Sequence, residues 1–99
     1  MKRTVTTEHN FSDTREFLHD AEDAVRAKML YRLQQKGTGL FVDKHQIYGI
    51  IAEEVKELLD ALHANDIEGM KRELIDIAVA ANFGIANIYV AKDEQEKDA

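Results

Sequence analysis

The sequence predicts an all-α fold, an antiparallel helical bundle with three long helices per chain that oligomerisation completes. Three observations carry this expectation. No proline occurs in 99 residues, so no position forces a break in a helix. Apolar residues at Ile47, Ile50, Ile51, Val55, Leu58 and Leu62 keep the i, i+3, i+4 rhythm of a helix that buries one face. From Leu74 to Val90 the chain is apolar nearly all round, more surface than two partner helices of the same small chain can cover.

In chain order, residues 1–11 show no helical period and are expected to form a loose arm. Ser12 or Asp13 can cap helix one, with Glu16 near its positive end. That helix runs to Lys36 with Leu18, Ala21, Val25, Met29 and Leu33 on one face, and Gly37 stops it. In the loop GTGLFVDKHQ, Leu40, Phe41 and Val42 can tuck beneath the helix. Asp43 and Gln46 then form a capping box that starts helix two near Lys44. Helix two ends near His63. Asn65 and Asp66 begin helix three after a connection so short that the two helices must pack antiparallel. Ala78, Ala80, Ala81, Gly84 and Ala86 make helix three thin, and it is expected to end near Ala91, with residues 92–99 a frayed charged tail. No linker or repeat divides the chain, so residues 1–99 read as one domain.

Composition excludes several functions. A net charge of −6 argues against general affinity for a nucleic acid polymer, which needs clustered Lys and Arg. The absence of cysteine excludes disulfides and thiolate metal sites and suits the cytoplasm; MKRTVTTEHN lacks the apolar core of a signal peptide. The Leu74–Val90 run is short for a membrane span and carries Asp76, Asn82 and Asn87, so no membrane is expected.

The acids are placed unusually. Glu54 lies inside the apolar stripe of helix two and Glu57 at its edge; Asp76 interrupts the apolar run of helix three, one turn after Glu73. Antiparallel packing brings the two pairs to comparable distances from the turn at Asn65, so all four carboxylates can converge. Unpaired buried carboxylates are costly, and the facing segments offer too few cations to neutralise them. Oxygen-only ligands suit Mg²⁺ or Mn²⁺, and a pair of such ions is suited to displacement at phosphorus. Against this stands a plain reading, since Glu-x-x-Glu arises by chance among 19 acids and usually marks a solvated face. Lys28, Arg32 and Lys36, spaced four apart beside the apolar face of helix one, form either a solvated margin or a row that meets a polyphosphate. Glu16 with His19 and Asp60 with His63 point away from the apolar faces and read as surface pairs.

EEVKE at Glu53–Glu57 followed by ELID at Glu73–Asp76 resembles the paired acidic signature of the MazG-like, all-α nucleoside triphosphate pyrophosphohydrolases. The resemblance implies Mg²⁺-dependent cleavage of a (d)NTP to the (d)NMP and pyrophosphate, for house-cleaning or control of a nucleotide pool. It implies Glu54, Glu57, Glu73 and Asp76 as metal ligands and Glu53 as the residue that orients or deprotonates the attacking water. It also implies a homodimer or homotetramer. Ala52, Lys56 and Thr38 depart from residues common in the family, and Asn87 is a candidate ligand-facing amide. The chain is similar, too, to phosphoribosyl-ATP pyrophosphohydrolase, but Ile50, Ile51 and Ala52 stand where that enzyme carries Lys and Gly, which ranks it second. The expected enzyme binds triphosphate through Lys28, Arg32, Lys36, Arg72 and Asn87; a non-enzymatic helical interaction module is the alternative from another class.

Overall fold

A computed structural model describes residues 11–36 and 44–98. Three helices account for nearly all of them: α1 (Phe11–Lys36), α2 (Lys44–His63) and α3 (Ile67–Asp98), with no strand among the described residues. The arm at 1–10 and the loop at 37–43, with the expected Leu40–Val42 clip and Asp43 cap, lie outside the described residues.

The tight connection forms as its residues dictate. Asn65 takes a left-handed conformation at φ 56°, which Asn tolerates better than most residues. Its amide donates to Leu62 O at 3.1 Å while that of Asp66 donates to Ala61 O at 3.0 Å, closing α2 in a Schellman arrangement. Asp66 then starts α3, its Oδ1 accepting from Gly69 N at 2.8 Å. A Cβ at Gly69 would collide with this same Asp66 carboxylate.

α3 is the central element. α2 and α1 each pack on it, and α1 and α2 do not pack on each other. The small-residue stripe works as expected, with Ala80 and Gly84 buried and a Cβ at Gly84 falling 3.1 Å from Ile47 Cγ2 of α2. Ile47 opposite Gly84, with Glu54 near Glu73, gives the antiparallel register.

Two boundaries differ from expectation. α1 starts at Phe11, which puts Asp13 in its first turn instead of at the cap. α3 runs to Asp98, seven residues beyond Ala91, since 92–98 contains good helix formers and neither Gly nor Pro. The added residues are charged or polar and do not lengthen the apolar run, but the helix over residues 67–96 is long and apolar enough to cross a membrane by length and composition.

Little apolar surface is buried within one chain. Val79 and Ala80 are the buried hydrophobics among the described residues. Leu59, Leu74 and Ile85 are 48, 53 and 52% exposed. On α2, Tyr48, Val55, Leu59 and Leu62 share the flank opposite Glu53 and Glu57, so acids and exposed hydrocarbon occupy different sides of that helix.

Candidate metal centre

The register of α2 against α3 sets Glu54 and Glu57, one turn apart, beside Glu73. One carboxylate oxygen from each of the three lies within 4.8 Å of the others. Glu54 and Glu73 are half-buried and Glu57 is exposed at the mouth.

The electrostatics follow from this crowding. Loss of solvent, a hydrogen bond with Glu73 and the charges of Asp76, Glu57 and Glu73 push Glu54 from 4.5 to about 7. Glu57 is raised as well, first by its hydrogen bond with Glu73 and then by the charge of Glu73. Three carboxylates this close repel one another, so the metal-free site carries a penalty of like charge. In addition, Glu54 Oε2 and Glu73 Oε2 are buried without a hydrogen-bond partner. Such orphans are costly unless something satisfies them. Two inward acceptor atoms, an all-oxygen donor set and, among the described residues, no cation paired with the trio fit a hard divalent ion.

Asp76 is not one of the three acids grouped within 4.8 Å, yet its charge is the first of those that raise Glu54, and its carboxylate also faces α1. Its Oδ1 lies 3.5 Å from Arg32 Nη2 and 3.8 Å from Lys28 Nζ, both on α1. Among the described residues the cations therefore fall to Asp76 and not to Glu54, Glu57 or Glu73. Sequence reasoning missed the pairing because it placed the acids against α2 alone, whereas α3 is flanked by α1 on its other side. The signal was present: Lys28 and Arg32 are spaced one turn apart on the face that meets α3.

The other expected residues are dispersed around this centre. Glu53 is exposed at the rim, and its negative charge is among the causes that raise Glu57. Arg72 is exposed on α3, 3.8 Å from Asp66. With Ala24, Lys28, Tyr31, Ile75 and Asp76 it lines an open groove of about 470 Å³. Asn87 is half-buried further along α3. Lys36 ends α1 and its side chain lies outside the described residues. His19, Asp60 and His63 are exposed, as the surface reading of those pairs requires.

Comparison with curated proteins and with solved structures returns no match. The family model for phosphoribosyl-ATP pyrophosphohydrolase matches residues 27–92, two thirds of the chain and a span that contains every candidate residue from Lys28 to Asn87. That group lies within the MazG-like all-α pyrophosphohydrolases, whose members act on nucleotides and typically use a divalent metal. The match sets aside the non-enzymatic module and brings forward the relative that the missing Lys and Gly had ranked second. The chain thus belongs to the phosphoribosyl-ATP pyrophosphohydrolase family, hydrolases of phosphoanhydride bonds.

Proposed function

We propose that the protein hydrolyses a nucleoside triphosphate between its α and β phosphates, with Glu54, Glu57 and Glu73 holding Mg²⁺ or Mn²⁺ and Asp76 adding a fourth carboxylate. The observation that carries this is the pair of buried Oε2 atoms on Glu54 and Glu73, orphaned at the centre of a three-acid group. A divalent ion bound there supplies charge neutralisation and polarisation at the phosphoryl oxygens. The chain's own residues do the rest. Glu53, exposed at the rim, takes the proton of the attacking water. The water oxygen bonds to the α phosphorus as the bond to the bridging oxygen breaks, and pyrophosphate leaves with that electron pair. Lys28 and Arg72, which line the groove, and Arg32, which pairs with the groove residue Asp76, would meet the β and γ phosphates, and Tyr31, exposed in the same groove, would offer a ring for the base to stack on.

Phosphoribosyl-ATP is the second candidate substrate, favoured by the family match. It presents the same triphosphate and would place its additional ribosyl phosphate along the open groove.

Pyrophosphate release from a panel of (d)NTPs and phosphoribosyl-ATP, with and without Mg²⁺, is the test. Turnover of one class, dependent on the ion, is expected. No turnover of either, together with no change in melting temperature on adding Mg²⁺ or Mn²⁺, would remove the reading.

We also propose that the chain works as a homodimer or homotetramer. The exposed flanks of α2 and α3, with an apolar groove of about 370 Å³ lined by Leu30, Leu33, Ile85 and Tyr89, are the surfaces a second copy would cover. On this reading α3 is a bundle helix whose apolar surface meets protein.

A further inference from the structure

Asp76 has two sets of claimants. On one side are Arg32 and Lys28 of α1, at 3.5 and 3.8 Å from its Oδ1. On the other is the acid trio, beginning with Glu73 one turn back along α3. The carboxylate is 19% exposed, Arg32 is 29% and Lys28 is 40% exposed, so the pairs sit at a boundary instead of in a sealed core. Both contacts are longer than the ~2.7–2.9 Å of a charge-assisted hydrogen bond, so neither cation is locked in place.

We infer that Asp76 is a shared carboxylate: Lys28 and Arg32 hold it in the metal-free chain, a divalent ion takes it over, and the two freed cations then turn to the substrate's phosphates. The inference rests on the metal reading given above. Its physical basis is competition for one anion. Neither contact made by the monovalent side chains is short, and both are partly screened by water. A divalent ion carries twice the charge and approaches carboxylate oxygens to about 2.0–2.6 Å. Once the ion neutralises Asp76, Lys28, which lines the groove with Arg72 and Tyr31, and Arg32, which reaches Asp76 there, lose their partner. Both cations then become available where a polyphosphate needs them. Ion binding and phosphate binding are thereby coupled, and thermodynamic reciprocity makes each favour the other.

The test is calorimetric titration of Mn²⁺ into the nucleotide-free protein, each variant first checked for an intact helical fold by circular dichroism. Arg32→Gln removes one competitor and should bind Mn²⁺ about two- to fivefold more tightly than wild type, the range expected for a partly exposed ion pair. Lys28→Gln, which removes the longer contact, should act in the same direction and serves if Arg32→Gln does not fold. Arg72→Gln, which removes a cation of the same groove that pairs with Asp66 instead, controls for general loss of positive charge and should change Mn²⁺ affinity less. In an Asp76→Asn background the effect of Arg32→Gln should vanish, completing a double-mutant cycle. Arg32→Gln should also weaken binding of an α,β-methylene nucleoside triphosphate in the presence of Mn²⁺. Unchanged or weaker Mn²⁺ binding by Arg32→Gln, equal tightening by Arg72→Gln, or an effect that survives Asp76→Asn would overturn the inference while leaving the metal site standing. Absence of Mn²⁺ binding by wild type would remove the metal reading and this inference with it.

Discussion

Replacing Glu54 by Gln separates what the acid trio costs the metal-free protein from what it gives the loaded one. In the fold, burial, the Glu73 hydrogen bond and the charges of Asp76, Glu57 and Glu73 raise Glu54 from 4.5 to about 7. Unfolding removes all of these influences. A carboxyl whose folded pKa exceeds its unfolded one stabilises the fold fully below pH 4.5 and loses that contribution as pH rises to about 7. The gap corresponds to about 3 kcal/mol, and solvent screening of a partly open side chain reduces this to about 1–2 kcal/mol. Gln keeps the shape and never ionises. At pH 7.5 in EDTA, Glu54→Gln should therefore melt about 5–10 °C above wild type, while at pH 5 the two should nearly coincide. Adding Mg²⁺ should raise the wild-type melting temperature far more than that of the variant. Circular dichroism melts at one fixed protein concentration measure all of this, the concentration being held because association also shifts the midpoint. A variant that melts below wild type at pH 7.5 in EDTA, or gains as much from Mg²⁺, would refute the reasoning.

Glu53→Gln should lower kcat by about a hundredfold or more in steady-state pyrophosphate release and leave Mn²⁺ affinity nearly unchanged, as expected for a proton acceptor that is not a ligand; a matching loss of affinity would make it a ligand instead. Gly84→Val places new atoms against Ile47, whose Cγ2 lies 3.1 Å from where the added Cβ would sit, and should cost about 1–3 kcal/mol in urea unfolding. Asp66→Ala removes the acceptor for Gly69 N and should cost about 1 kcal/mol in the same assay. If the chain associates as proposed, Leu59→Glu with Ile85→Glu, both at half-exposed sites, should leave it a monomer in sedimentation, and a wild-type monomer would exclude the oligomer altogether.

Much of this molecule was legible because its signals are local. The Asn65–Asp66 turn is written in two residues whose own side-chain and backbone chemistry ends one helix and starts the next. Its shortness fixes the antiparallel register, and that register alone brings Glu54 and Glu57 to Glu73. The C-terminal end of α3 was less legible, because charged helix formers continue a helix as readily as they leave one, and no Gly or Pro marks the stop before Asp98.

The sequence by itself determined the three helices, the inward placement of Glu54, Glu73 and Asp76 and, through the paired motifs, the kind of reaction. Tertiary structure decided how the charges divide. Packing α1 on the far side of α3 gives Asp76 two cations and, among the described residues, gives the trio none. Periodicity within a helix tells which way each side chain points, but whether a carboxylate meets a guanidinium or another carboxylate depends on the helix that arrives opposite it. That is a contact between residues far apart along the chain, and no local pattern encodes it.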